Sequence, residues 1–83
     1  MTHTLKTWPE YFHAVITGHK TFEIRKNDRN FKQGDTLLFK EWNPDTEKYT
    51  NRQHTMEVCY VLEGGQFGLE EGHVAMGLVD PEE

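Results

Sequence analysis

Lys20, Glu23 and Arg25 bring an ammonium, a carboxylate and a guanidinium into six consecutive residues. That set of groups suits a nucleotide. Arg25 can present a planar fork to a phosphate or a base edge, and Lys20 acts as a point charge on a phosphate. Glu23 is an acceptor: it can take hydrogen bonds from the exocyclic amine of a base, or hold Arg25 in one orientation. A plainer reading competes, in which Glu23 and Arg25 form a surface pair of little energetic value. Lys26, Arg29 and Lys32 extend the positive charge. They serve either as contacts to the backbone of a bound strand, which position it without reading sequence, or as the solvated charges of a turn.

Charge is unevenly spread along the chain. The net charge of the 83 residues is −5. Residues 18–33 hold Lys20, Arg25, Lys26, Arg29 and Lys32 against Glu23 and Asp28, a local net of +3. Residues 34–83 hold eleven carboxylates against three cations, a local net of −8, and residues 1–17 are neutral. A non-specific duplex binder takes most of its affinity from phosphates and is normally basic throughout. This chain fits a small positive site on a body that repels polyanions.

The elements that must position those groups follow from periodicity. His3–Thr7 reads as a first strand. Thr7 and Glu10 have the spacing of a capping box, and Pro9 falls in the first turn. Trp8, Phe12, Val15 and Ile16 form one helical stripe, so a helix is expected from about residue 8 to 17, stopped by Gly18. In TFEIRK the alternation predicts Phe22 and Ile24 on a core face, with Thr21, Glu23 and Arg25 together on the other. Glu23 and Arg25 are then about 6.6 Å apart along the strand. A third strand is expected from Thr36 to Trp42, and NPDTEKYTN is read as a polar connection. A fourth strand begins near His54, with Met56, Val58, Tyr60 and Leu62 on one face. A Gly-rich loop leads to a last strand, HVAMGLV, with Val74, Met76 and Leu78 together. The acidic tail from Asp80 is expected to fray. One helix among short strands predicts an α+β fold in a single domain, residues 1–83, its roughly five strands curling to bury core and edges. A domain of this size buries only about 60% of the surface of its unfolded chain, so its core is small.

Other residues carry weaker signals. Trp8 suits base stacking or the core beside Phe12, and the core is the expected place. Tyr49, among polar residues, is expected to be more exposed than Trp42. Phe67 in GGQFGL either caps the sheet or stands at a cleft, and Gly64 and Gly65 permit close backbone approach. The five histidines lack metal-ligand spacing, so neither a metal nor a cofactor is expected. His19 is a possible proton carrier. Cys59 is the lone cysteine, which fits a reducing compartment. With no apolar run long enough for a membrane span, a cytoplasmic, soluble monomer is expected.

GHKTFEIRKNDRNFKQGD resembles the ASCH domain, a branch of the PUA-like superfamily. The signature of that group, G-x-K-x-x-E-x-R, is filled here by Gly18, Lys20, Glu23 and Arg25. The flanking LKTWPEYF and the later GGQFGL bring the chain closer still to the DUF3850 family, which is common in phage and prophage genomes. The resemblance implies a small PUA-like β-barrel with one main helix near the N-terminus. It also implies RNA, or a modified nucleotide within it, as ligand in a cleft near the signature. The binding residues would be Lys20, Thr21, Glu23, Arg25, Lys26 and Arg29. Some small ASCH proteins hydrolyse an acylated cytidine, with a lysine at the position of Lys20. The alternative is therefore an amidohydrolase acting on an acylated nucleoside such as N4-acetylcytidine. Lys20 would be its nucleophile or base, and Glu23 would orient it or carry a proton. That branch has a threonine where this chain has Glu23, so binding ranks above catalysis.

Overall fold

The computed structural model describes residues 1–81. The element order is β1 (Thr2–Thr7), α1 (Pro9–Ile16), β2 (Phe22–Lys26), β3 (Thr36–Asn43), β4 (Lys48–Glu63) and β5 (His73–Val79). The strands form one curled sheet in the order β1-β3-β4-β5-β2. Among the described strands, β1 and β3 are the one parallel pair. A parallel pair needs a crossover, and α1 with β2 supplies it. As a result β1 and β2, adjacent in sequence, occupy the two opposite edges. Of the tail expected to fray from Asp80, residues 82 and 83 lie outside the described residues.

The two edges face each other across a seam that is spanned by side chains. Arg25 Nη2 donates to the carbonyl of Lys6 at 3.1 Å, and Arg29 Nη1 donates to the carbonyl of Thr4 at 2.5 Å. Thr4 and Lys6 are two apart, so both carbonyls point out of the same side of β1. The arginines thus cap an edge that would otherwise invite pairing.

Alternation builds the core. Leu5, Leu37, Phe39, Met56, Val58, Val74, Met76 and Leu78 point into the curl. The eight-residue α1 is shorter than an isolated helix needs to be stable. It is held by Phe12 and Val15, both fully buried, at about 1.5–3 kcal/mol each. Gly18, at φ +80°, ends it. The expected capping box does not form: the N-cap is Trp8, and Thr7 Oγ1 instead donates to the carbonyl of Leu5. Thr7 is the last inward-facing residue of β1, which takes its hydroxyl away from the helix start.

Strand β4 differs from the sequence expectation in two ways. The polar stretch Lys48–Gln53 belongs to β4, because Trp42 and Asn43 pair with Tyr49 and Lys48 across a tight turn. The alternation of β4 also breaks. A register shift between Val58 and Tyr60 lets Cys59 bulge, so Tyr60 turns outward, 62% exposed, and Val61 packs against the core instead. Phe67 is also solvent-facing, 86% exposed. Gly64 is required by close approach, since a Cβ there would lie 2.0 Å from the carbonyl oxygen of Glu70. No helix among the described residues is long and apolar enough to cross a membrane.

Asp35 ties the start of β3 to β1. His3 Nε2 lies 2.8 Å from its Oδ2, the backbone N–H of Lys32 donates to it at 3.0 Å, and the terminal ammonium of Met1 lies 3.4 Å away. Burial alone raises the Asp35 carboxyl, but the His3, Lys32 and terminal-ammonium bonds outweigh it and hold the group below its ordinary 3.8. A lowered folded-state value adds stability that is complete above the ordinary value and disappears as pH falls through the folded one. Asp35→Asn is therefore expected to melt below wild type at pH 7, by a loss of about 1 kcal/mol or about 4–8 °C. The gap should narrow as pH falls below the ordinary carboxylate value and close once it has passed the lowered folded-state one. Calorimetric melts of both proteins at pH 7 and at steps down from pH 4 check this.

Candidate functional site

Gly18 ends α1, and the chain turns back so that the N–H of Lys20 donates to the carbonyl of Ala14. This sets Lys20 at the entrance to β2. Across the β2–β5 ladder Glu23 is opposite Met76 and Arg25 opposite Val74. Val74 and Met76 point into the core, and cross-strand partners share a face. Glu23 and Arg25 must therefore point inward as well. The sequence reading had this face the wrong way round. Glu23 is only 5% exposed, whereas Phe22 and Ile24 are about half exposed on the outside. Their ladder partners, Gly77 and Ala75, are small, so they find little to pack against.

A buried carboxylate is costly unless it is paired, and Glu23 is paired on both oxygens. Lys20 Nζ donates to Oε1, and Arg25 Nε donates to Oε2 at 2.6 Å. Arg25 also reaches the Lys6 carbonyl, so its fork is fixed at two points. Between the two alternatives for Glu23, the geometry selects the one in which it orients the cations.

These groups form one wall of an open chamber of about 400 Å³ at the seam. Lys20, Glu23 and Arg25 line it together with Trp8, Tyr11 and Phe22. Trp8 is 52% exposed and does not belong to the core. As the N-cap it precedes the first buried turn of α1, so its ring lies beside the chamber. The chamber joins two fixed cations to half-exposed aromatic surfaces, a pairing that suits a flat ring bearing acceptors or negative charge. Two further cavities adjoin it: one of about 460 Å³ on the far side of Lys20, lined also by Thr21, His54 and Met56, and a smaller one of about 210 Å³ lined by Lys26, Asp28, Arg29 and Phe31, which Arg25 also borders.

The residues read from sequence thus separate. Lys20, Glu23 and Arg25 converge. Thr21 is exposed and lies outside the chamber, lining with Lys20 the adjoining cavity of about 460 Å³, and its carbonyl accepts the N–H of Leu78. Lys26 and Arg29 belong to the smaller cavity, and Arg29 is tied to β1. Sequence reasoning missed Tyr11 and Phe22 as lining residues and placed Trp8 in the core. The signal for Phe22 was available in the small residues Ala75 and Gly77 of the partner strand, but only with the register known. A second buried carboxylate was also missed: Glu41 accepts from Thr50 Oγ1 at 2.6 Å and lies 3.8 Å from Arg52. Among the described residues no cluster of three or more His, Cys, Asp or Glu side chains is placed to hold a metal.

Comparison with known proteins bears on the whole chain. An uncharacterized 12.9 kDa protein in the GpA 3' region of Escherichia phage P2 is 48% identical over 40 residues. That stretch is 48% of this chain and 37% of the phage protein, so the match spans well under half of that relative's length. The profile of DUF3850, a domain of unknown function, matches residues 2–78, and with nearly every residue covered the chain belongs to the DUF3850 family.

Proposed function

We propose that this domain binds RNA, or a modified nucleotide within it, in the chamber at the β1–β2 seam, and that its curled sheet is a PUA-like barrel of the ASCH type. One observation carries the reading: two cations fixed by a buried acid share a cavity with half-exposed Trp8, Tyr11 and Phe22. Recognition of RNA commonly uses splayed bases that stack on rings and are read along their edges, which takes a cleft and not a broad basic face. A chain of net charge −5 is compatible with that mode. The base would lie among the aromatic side chains, with Lys20 and Arg25 on its edge or its phosphate. Lys26 would follow the neighbouring backbone through the smaller cavity.

The hydrolytic alternative places N4-acetylcytidine or a similar nucleoside in the same chamber, with Lys20 as the attacking group. Lys20 donates its hydrogen bond to Glu23, which leaves it poorly set for attack, and binding is the reading adopted. The experiment is a titration of fluorescently labelled RNA oligonucleotides against wild type and Arg25→Ala. Saturable binding that Arg25→Ala weakens supports the reading. Equal binding by both proteins, or none below millimolar, contradicts it.

A further inference from the structure

The hydrogen-bonding inventory of the chamber is one-sided. Lys20 has three N–H donors and no acceptor, and one of them is taken by Glu23. Arg25 has five N–H donors and no acceptor, of which one goes to Glu23 and one to the Lys6 carbonyl. Both cations therefore keep donors to spare. The acceptors that might balance them are occupied or covered. Each Glu23 oxygen holds a cation, and the side chain is buried beneath them. The Thr7 hydroxyl is buried and bonded to the Leu5 carbonyl. The Trp8 indole only donates. Among the described residues lining the chamber, the hydroxyl of half-exposed Tyr11 is the one side-chain acceptor that is not buried, since the remaining lone pairs of Glu23 and Thr7 belong to side chains about 5% exposed.

We infer that the chamber reads an acceptor edge. It takes bases with a carbonyl at C4 of a pyrimidine or C6 of a purine, as uracil, hypoxanthine and guanine have, in preference to cytosine and adenine, which carry an amine at that carbon. The inference rests on the nucleotide-binding reading above and adds to it which base edge is chosen. The physical reason is asymmetric. A carbonyl oxygen meets the free fork of Arg25 or the ammonium of Lys20. Where the exocyclic group itself faces the cations, an amine sets donor against donor and leaves both desolvated without a partner. Stacking on Trp8 contributes to every base and discriminates little.

The test uses matched pairs. Labelled hexaribonucleotides of uridine and cytidine differ by carbonyl against amine at C4, with N–H against a lone pair at the neighbouring N3, and those of inosine and adenosine differ likewise at C6 and N1. Anisotropy titrations should give about 10-fold tighter binding to the carbonyl-bearing member of each pair. Arg25→Lys keeps a cation beside Glu23 but loses the fork, and should shrink both ratios. Trp8→Ala should weaken all four oligonucleotides and keep the ratios. Equal binding within each pair, or preference for the amine, overturns the inference and leaves the nucleotide-binding reading standing. If wild type binds none of the four, both fail.

Discussion

Glu23→Ala is expected to lose about 3 kcal/mol of folding stability, the low end for breaking a buried ion pair. The low end applies because Lys20 and Arg25 are partly exposed, at 19% and 30% of their side-chain surface, and can turn toward water once released. For a domain of this size the loss lowers the melting temperature by more than about 10 °C, out of a total stability of about 5–15 kcal/mol. Two cations set together with nothing between them is the source of the cost. Replacing the whole cluster, Lys20→Met with Glu23→Leu and Arg25→Met, should keep the melting temperature close to wild type, because an apolar cluster of similar volume avoids the desolvation of three charges. Circular dichroism melts of both variants check the pair of statements. An unchanged melting temperature for Glu23→Ala would mean that the carboxylate is not buried between its two partners.

The second large effect concerns binding. Arg25→Ala removes a side chain that touches Glu23, the β1 edge, the chamber and the smaller cavity beside it. Truncating a charged partner in a desolvated contact costs about 2 kcal/mol or more, which is about 30-fold in affinity for a short RNA. The triple apolar variant should bind nothing measurable while remaining folded, which separates the site from the scaffold. Arg25→Lys should fall between, since it restores the charge and not the fork. Affinities from anisotropy, with melting temperatures on the same preparations, distinguish lost contacts from lost structure.

Much of this site was legible as a set of residue types and little of it as an orientation. The cluster Lys20, Glu23, Arg25 was visible because charge and spacing are local properties. Its facing was not, because alternation in TFEIRK gives two faces without saying which is inner. The partner strand decides that, through the pairing of Glu23 with Met76. An apolar Phe22 pointing outward contradicts the usual pattern, and such departures from local rules are where a site is to be expected. The same limit explains Tyr60. One bulged residue, Cys59, exchanges the faces of everything after it in β4, and nothing in MEVCYVLE marks the bulge. Local motifs fared according to competition. Gly18 took the left-handed turn expected of it, since few residues adopt that conformation. Thr7 had another acceptor within reach and left the helix uncapped. The placement of β1 and β2 at opposite edges, which creates the seam, depends on long-range order that no short window contains.

In the proposed function, Lys20, Glu23 and Arg25 act together in one ligand chamber that Trp8, Tyr11 and Phe22 also line. Two-dimensional ¹⁵N correlation spectra recorded while uridine-containing RNA is added test this directly. The expected result is saturable shifts confined to the amides of Lys20, Glu23 and Arg25 and to the indole N–H of Trp8, sharing a single dissociation constant. Shifts that map instead to the solvent-facing strand surface around Tyr60, or spectra that stay unchanged at millimolar RNA, would contradict it.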